Sequence, residues 1–279
     1  MAQKIGMIGI GPIGIHFIEK LINGGYETVA FDIDDEKTKL ASQKGSALAG
    51  SVQDLAKQVN IIVLALPGDP AVEAVMEGTN GLLEVLTSEH IIIDTGTSSP
   101  RLDRFYEKRC AEKGAGFIEA PVTWRAPGLI LIPAGDRKIF DAVEPVIKTM
   151  SYKYRYMGES GRGQELKAVN QLYFSARGAI MAETVAYAQK LGFGKDELED
   201  FLEFGMAPSL YGDDFTRISG TIGLNCKDLK YVQEIAFDYG ACLPITAAVY
   251  QAFLHSVIHG GGGDDQNGII RYWRDLNKE

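Results

Sequence analysis

The sequence predicts an α/β domain, built on a parallel sheet with helices on both faces, followed by an all-α domain. From residue 4 to about 157, short apolar runs alternate with amphipathic segments, which is the pattern of βαβ units. After Gly158 the strand-like runs end, and apolar residues recur at steps of three or four, as they do in helices. The predicted domains are therefore residues 1–160 and residues 161–279.

The first domain contains seven candidate strands, each a short apolar run bounded by turn residues. They cover residues 4–9, 27–32, 60–66, 90–95, 116–122, 129–135 and 153–158. The amphipathic segments between most of these runs are suited to the crossover helices that a parallel sheet requires.

The helical part begins with one long segment from about Gln164 to Leu191. At the α-helical rise per residue this segment is roughly 40 Å long. We expect it to leave the first domain and to form the spine of the second. The later helical segments, which would pack around it, cover about 195–206, 225–240, 243–259 and 266–277.

Composition and charge exclude several classes of protein. The chain has 279 residues and a net charge of -9, so a nucleic-acid partner is not expected. The three cysteines are scattered and lack CxxC spacing, which argues against a disulfide framework or a cysteine metal site. No charged-then-apolar leader opens the sequence and no apolar stretch is long enough to span a bilayer, so we expect a cytoplasmic protein without membrane contact.

A glycine-rich turn directly after the first strand predicts a dinucleotide site of the Rossmann type. In such a turn the first glycine permits a tight bend, the second admits the pyrophosphate and the third lets the helix pack on the strand. The helix that follows points its N-terminal dipole at the phosphates. The predicted cofactor-binding residues of this turn are Gly9, Ile10, Gly11, Pro12, Ile13 and Gly14.

Asp32, at the end of the second candidate strand, indicates which cofactor binds. A carboxylate at this place accepts both ribose hydroxyls of NAD and repels the 2′-phosphate of NADP. The next residue is Ile33 and not an arginine that could neutralise the phosphate. The sequence therefore favours NAD over NADP; the alternative is a glycine turn that binds no nucleotide.

Three polar residues lie on one face at the start of the long helix. Lys167, Asn170 and Gln171 stand at positions i, i+3 and i+4. The predicted domain junction is a usual place for a ligand cleft, where a lysine amine could transfer a proton. A solvated helix face is the alternative interpretation.

Seven motifs, taken in order, resemble those of the β-hydroxyacid dehydrogenase family, which includes 3-hydroxyisobutyrate dehydrogenases and tartronate semialdehyde reductases and, more remotely, 6-phosphogluconate dehydrogenase. They span nearly the whole chain. The motifs are GIGPIG (9–14), LALP (64–67), DTGTSSP (94–100), EAPVT (119–123), GRGQELKAVNQ (161–171), KDL (227–229) and GGGDDQNGII (261–270).

The resemblance implies a hydride transfer between NAD(H) and a small anionic β-hydroxy acid or its semialdehyde. It implies that Lys167 is the general acid/base, that Leu66, Pro67 and Thr97 line the nicotinamide site, and that Lys227 closes over it. It also implies a homodimer or homotetramer. Separately, the C-terminal segment IIRYWRDLNKE is amphipathic enough to pack on a neighbouring subunit.

The chain departs from the family pattern in its substrate-binding residues. EAPVTWRAPG stands where the family has DAPVSGG and further glycines, so that Trp124 and Arg125 follow Thr123 in place of two glycines, and Gln171 replaces a second asparagine beside Asn170. Our hypothesis is that Arg125 offers a bidentate fork to the substrate anion and that Trp124 forms a wall of the pocket. The alternative is that both side chains pack at a domain or subunit interface.

Two rival functions and one weaker motif remain. An imine reductase would share the fold but commonly replaces the lysine, and a non-catalytic NAD(H) sensor would bind nucleotide without turnover. His255 and His259 share a helical face, yet they lack the glutamate of a zinc-protease motif, and we expect no metal site.

Overall fold

The structure, a computed structural model, describes residues 3–201, 208–216 and 220–278. It separates into two compact units, Met1–Lys167 and Ala168–Glu279. The prediction of a Rossmann-type α/β domain followed by an all-α domain is confirmed, as is the long helix that joins them.

In its described residues, from 3 onward, the N-terminal unit contains ten strands and six α-helices that lie wholly within it. The strands are β1 (Lys4–Ile8), β2 (Glu27–Phe31), β3 (Ala47–Leu48), β4 (Ile61–Leu64), β5 (Ile91–Asp94), β6 (Gly116–Glu119), β7 (Val122–Arg125), β8 (Gly128–Leu131), β9 (Ala134–Gly135) and β10 (Lys153–Tyr154). The helices are α1 (Pro12–Asn23), α2 (Asp35–Gln43), α3 (Val52–Ala56), α4 (Asp69–Glu77), α5 (Pro100–Ala111) and α6 (Arg137–Met150).

The main sheet has the strand order β3-β2-β1-β4-β5-β6-β9, and all its pairs are parallel except that of β6 with β9. Strands β1 to β3 are added toward one edge of the sheet and β4 to β6 toward the other, so the strand order reverses between the parallel neighbours β1 and β4. The carboxyl ends of these two strands form the crevice where ligands bind in doubly wound sheets. Strand β4 shows why both faces are covered. Ile61 and Val63 join the core on one face of the sheet, whereas Ile62 and Leu64 join the core on the other.

Two of the seven predicted strands are each two strands. The run 116–122 divides because Ala120 and Pro121 leave the sheet between β6 and β7, and the run 129–135 divides at Ile132 and Pro133, between β8 and β9. Proline has no N–H to donate to a strand ladder, which explains both interruptions. Strands β7 and β8 then form an antiparallel hairpin that, with β10, makes a second sheet of order β10-β8-β7.

Helix α7 (Arg162–Lys190) begins in the N-terminal unit and continues into the C-terminal one. Its 29 residues correspond to about 44 Å of helix. The C-terminal unit adds α8 (Lys195–Phe201), α9 (Ile222–Asp238), α10 (Pro244–Ile258) and α11 (Ile270–Leu276). The predicted segment 195–206 continues past Phe201 into residues outside the described part of the chain.

The core of the C-terminal unit is formed by one face of α7 together with α9, α10 and α11. Ala182 and Val185 of α7 pack with Leu229 of α9 and with Ile270 and Trp273 of α11. Ile270 and Trp273 of the C-terminal segment are thus buried in their own unit, whereas Leu276 is exposed. The contact of this segment with a neighbouring subunit stays a prediction. Among the described helices, none is both long and apolar enough to cross a membrane.

Candidate active site

The glycine turn has the geometry that its sequence predicts. Gly9 has a φ of +90°, and a Cβ added there would lie 2.5 Å from the Ala65 carbonyl oxygen. A Cβ on Gly14 would lie 2.0 Å from the Gly9 carbonyl oxygen, so α1 packs against the turn as closely as backbone allows. A Cβ on Gly11, by contrast, would meet no described atom within 4 Å. The second glycine therefore leaves the approach of a ligand to the backbone open, and α1 begins at the next residue.

Asp32 directly follows β2 and faces this turn. Its carboxylate accepts hydrogen bonds from the Ile10 N–H at 2.6 Å and from the Asp34 N–H at 3.0 Å. Lys37, in the first turn of α2, places its Nζ 4.0 Å from the same carboxylate, while Ile33 is 95% exposed. Sequence reasoning considered only the residue next to Asp32 and missed Lys37, whose signal is its place in the first turn of the helix that begins three residues after the aspartate.

The segments after β4 and β5 meet at the carboxyl edge of the sheet beside the turn. Leu66 and Pro67 follow β4, and Thr97 follows β5. A Cβ on Gly96 would lie 2.8 Å from the Leu66 carbonyl oxygen, so the two loops are in direct backbone contact. The structure thus brings the predicted residues of the nicotinamide site to the ends of neighbouring parallel strands.

The first turn of α7 is bonded to the same edge. The Gln164 side-chain amide donates to the Gly96 carbonyl at 3.0 Å and to the Ser98 hydroxyl at 2.9 Å. The Gly163 N–H donates to a carboxylate oxygen of Glu119, the last residue of β6, at 2.6 Å. Lys167 lies one turn further along α7 and is 6% exposed. A buried lysine is unusual, because its charge must be compensated by its surroundings.

Three buried carboxyl groups lie beneath this edge, and sequence reasoning missed all of them. Asp94, Asp103 and Glu119 are each 0% exposed. Burial raises the pKa of Asp94 to about 8, with a further contribution from Asp103, and burial raises the pKa of Glu119 to about 6. Burial and the neighbouring Glu119 hold the pKa of Asp103 well above its ordinary value. The available signal was an acidic residue ending each of two strongly apolar strands, IIID and GFIE.

The other two predicted polar residues of α7, Asn170 and Gln171, lie in the C-terminal unit. Asn170 donates to the Gln171 side-chain oxygen at 3.1 Å, and Gln171 donates to Asp228 of α9 at 2.5 Å. Lys227 forms an ion pair with Asp228 at 3.1 Å. The longer Gln171 side chain is thus bonded across to α9. The roles of Asn170 and Gln171 at a substrate and of Lys227 at the nicotinamide stay predictions.

The predicted substrate loop is an ordered hairpin in the structure. Strands β7 and β8 pair Trp124 with Leu129 and Arg125 with Gly128. Trp124 is 66% exposed, Arg125 is exposed and Thr123 is half-buried. The contact of the three side chains with a substrate stays a prediction. The His255 and His259 rings stack on each other at a centroid distance of 4.0 Å.

Comparison with known families assigns both parts of the chain. Residues 4–158 match the model of the NAD-binding domain of 6-phosphogluconate dehydrogenase, and residues 161–273 match that of the NAD-binding domain of NADP-dependent 3-hydroxyisobutyrate dehydrogenase. The chain belongs to the β-hydroxyacid dehydrogenase family. The resemblance stated from the motifs is confirmed, and the chain is an oxidoreductase with an NAD(P)-binding domain.

Individual relatives align with almost the whole chain. The 2-(hydroxymethyl)glutarate dehydrogenase of Eubacterium barkeri is 26% identical over 98% of this chain and 95% of its own length. The 3-hydroxyisobutyrate dehydrogenase structure from Salmonella typhimurium has a TM-score of 0.87 at 19% identity, covering 96% of this chain and 99% of that one. The imine reductase from Myxococcus stipitatus, in complex with NADP+, has a TM-score of 0.65 at 17% identity over 96% of this chain and 99% of that one. These two likenesses to solved structures show the fold alone.

Proposed function

We propose that this chain transfers a hydride between NAD(H) and a small anionic β-hydroxy acid or its semialdehyde, with Lys167 as general acid/base. The observation that carries the proposal is the position of Lys167. It is buried one turn after Gly163 and Gln164, which are bonded to the edge of the sheet that also carries the glycine turn. The name of the 2-(hydroxymethyl)glutarate relative supports the substrate class.

The residues at the glycine turn fit a dinucleotide. The open approach at Gly11 and the start of α1 would hold the pyrophosphate, because backbone N–H groups and the helix dipole favour negative charge there. The Asp32 carboxylate would accept the ribose hydroxyls, which supports NAD over NADP. Lys37 offers a 2′-phosphate partial compensation, and so we expect a preference and not full exclusion of NADP.

The chain's own residues perform the proton step and the orientation. NAD(H), when bound, accepts or supplies the hydride. In the oxidation, Lys167 Nζ takes the hydroxyl proton while the carbon–oxygen double bond forms; in the reduction it returns that proton to the carbonyl oxygen. Proton transfer of this kind contributes about a hundredfold to ten-thousandfold in rate, and the rest depends on orientation. We assign Arg125 to the substrate anion, since a guanidinium can hold a carboxylate through two parallel hydrogen bonds.

The decisive experiment measures NADH formation from a panel of β-hydroxy acids by the wild-type protein and by Lys167→Ala and Lys167→Arg variants. We expect turnover by the wild type and a loss of about a hundredfold to ten-thousandfold in kcat for Lys167→Ala. Nucleotide binding, followed by the fluorescence of NADH, should be unchanged in Lys167→Ala. Turnover that is equal in the wild type and Lys167→Ala would overturn the role of Lys167, and nucleotide binding without turnover on any acid would favour a sensor.

Imine reduction is the second candidate function, because the fold of the imine reductase from Myxococcus stipitatus matches almost the whole of this chain. A cyclic imine included in the panel separates the two. The proposal requires that hydroxy acids be oxidised and that imine reduction by the same preparation be slower. Faster lysine-independent reduction of the imine would replace the proposal.

We propose further that the chain forms homodimers or homotetramers. The supporting feature is a row of exposed apolar side chains along α7 in the C-terminal unit, in which Val169 and Tyr173 are each 64% exposed, Ile180 56% and Tyr187 61%. Light scattering after size exclusion should give a multiple of the chain mass. Ile180→Glu should lower that mass, whereas Tyr152→Glu, at an exposed residue of the N-terminal unit, should not. A monomeric wild type would refute this proposal.

A further inference from the structure

A ring of buried hydrogen bonds joins the segments of the N-terminal unit that converge below Lys167. Gln164 of α7 donates to the Ser98 hydroxyl at 2.9 Å, and Ser98 donates to Asp103 of α5 at 3.1 Å. Asp103 is hydrogen-bonded to Glu119 of β6, and Glu119 accepts from the Gly163 N–H at 2.6 Å, which returns the ring to α7. None of the four side chains in the ring is more than 2% exposed.

Glu119 binds the part of α7 that most needs a partner. The first N–H groups of an α-helix have no acceptor within the helix, and the helix dipole favours a negative charge at that end. The Glu119 carboxylate supplies an acceptor and a negative charge at this end of α7. One of its oxygens accepts from the Gly163 N–H at 2.6 Å and from the Gln164 N–H at 3.4 Å. A strand end thus serves as the cap of a helix that begins more than 40 residues later in the sequence.

The contact is close enough to fix the position of the helix. A Cβ on Gly163 would lie 2.8 Å from the Glu119 carboxylate and 2.3 Å from the Ile132 carbonyl oxygen, so this turn cannot move inward. In an α-helix the N–H of residue 167 bonds to the carbonyl of residue 163. A displacement of Gly163 therefore reaches Lys167 through a single helical hydrogen bond.

Burial raises the pKa of both Asp103 and Glu119. Backbone N–H groups of the α7 segment oppose this shift at Glu119, because they stabilise its carboxylate. Asp94 lies opposite Glu119 in the sheet register, and burial holds it largely protonated below pH 8. Arg104 and Arg162 are bonded to Glu165 on the first turns of α7, at 2.6 Å each. The α7 backbone thus favours the ionised form of Glu119, to which the Gly163 N–H donates.

We propose that Glu119 is a positioning residue for Lys167: its carboxylate accepts from the Gly163 N–H, fixes the first turn of α7 and hence determines the place of the lysine amine. The inference rests on the proposed function only in taking Lys167 as the proton-transfer group. Its effect is on orientation, for which a shift of about 1 Å can cost about a hundredfold in rate.

The test compares Glu119→Asp, which keeps the charge but is one methylene shorter, with Glu119→Gln, which keeps the length and an oxygen acceptor. Glu107→Gln is the control, because Glu107 also accepts from a backbone N–H, that of Asp136, at 3.2 Å on another helix start. The first readout needs no substrate. Lys167 is acylated with acetic anhydride across a pH series, and its labelling is quantified by mass spectrometry against the exposed lysines of the same molecule.

We expect Glu119→Asp to change the labelling profile of Lys167 and to lower kcat by tenfold or more at an unchanged KM for NAD. Glu119→Gln should keep most of the wild-type labelling profile and most of the wild-type kcat. Glu107→Gln should match the wild type in both measurements. Wild-type labelling and kcat in Glu119→Asp would overturn the proposal, as would an equal loss in Glu119→Gln with folding intact. If Lys167→Ala is fully active, the proposed function fails, whereas the labelling still decides whether Glu119 positions the lysine.

Discussion

Replacing Asp94 by asparagine tests the physical account of the buried carboxyl groups without touching the proposed catalytic residues. Asp94 Oδ1 accepts from the Gly96 N–H at 2.9 Å, and Oδ2 lies 3.5 Å from the Ser98 hydroxyl. Asparagine can keep the first bond through its oxygen and can offer an N–H in place of the acid proton on the second. Asp94→Asn is thus a close copy of the protonated side chain.

The raised pKa sets both the sign and the size of the effect. The carboxyl titrates near 3.8 in the unfolded chain and near 8 in the folded one, where burial is the main cause. Between these values the folded state binds more protons, so the free energy of unfolding falls as pH rises, by at most about 1.4 kcal/mol per pH unit. Over the full window this gives a loss on the order of 6 kcal/mol, which Asp94→Asn removes.

The assay is urea unfolding of the wild type and of Asp94→Asn at intervals from pH 5 to pH 9. We expect the variant to match or fall slightly below the wild type at pH 5 and to exceed it by several kcal/mol at pH 9. Asp35→Asn, at an exposed position in α2, should show no such crossing. A stability difference between Asp94→Asn and the wild type that is constant over this range would refute the assignment of a raised pKa to Asp94.

Three further predictions concern the ligand sites. Asp32→Ser should lower kcat/KM for NAD and raise it for NADP, reducing the preference at least tenfold, whereas Lys37→Ala should increase it; steady-state kinetics with both cofactors measures this. Gly11→Ala should fold normally and bind NADH more weakly, whereas Gly14→Ala should unfold at lower temperature because its Cβ would meet the Gly9 carbonyl oxygen at 2.0 Å; thermal scans and NADH titration separate the two, and equal behaviour would contradict the assigned glycine roles. Arg125→Ala should raise KM for the anionic substrate by about tenfold or more at constant kcat; an unchanged KM would remove Arg125 from the site.

Periodicity and motif spacing predicted the layers of the fold because they depend on local sequence. Apolar alternation in β4 and the glycine turn before α1 each report on neighbouring residues. The division of two predicted strands also depends on local sequence, because Pro121 and Pro133 mark the points of interruption. The pairing of β7 with β8 could not be predicted in this way. Strand pairing joins residues distant in the chain, and a run such as VTWR carries no mark of the strand it will meet.

The buried acid ring could not be predicted for the same reason. Ser98, Asp103, Glu119 and Gln164 come from separate elements, and each alone resembles a surface residue. Only the fold shows that they are buried together and that burial raises the pKa of both carboxyl groups. Lys37 was missed because the helical geometry that turns it back toward Asp32 is not apparent from a comparison of adjacent residues.

The two backbone hydrogen bonds to Asp32 have an energetic consequence for nucleotide binding. Ile10 and Asp34 hold the carboxylate from two sides, so its rotamer is already ordered before a ribose arrives. Ordering a side chain on binding costs roughly 0.5–1.5 kcal/mol, and here that cost is met during folding. The site is thus preorganised, and changes to the Asp34 end of the loop should weaken the cofactor mainly through the entropy of binding, a difference that calorimetry can resolve.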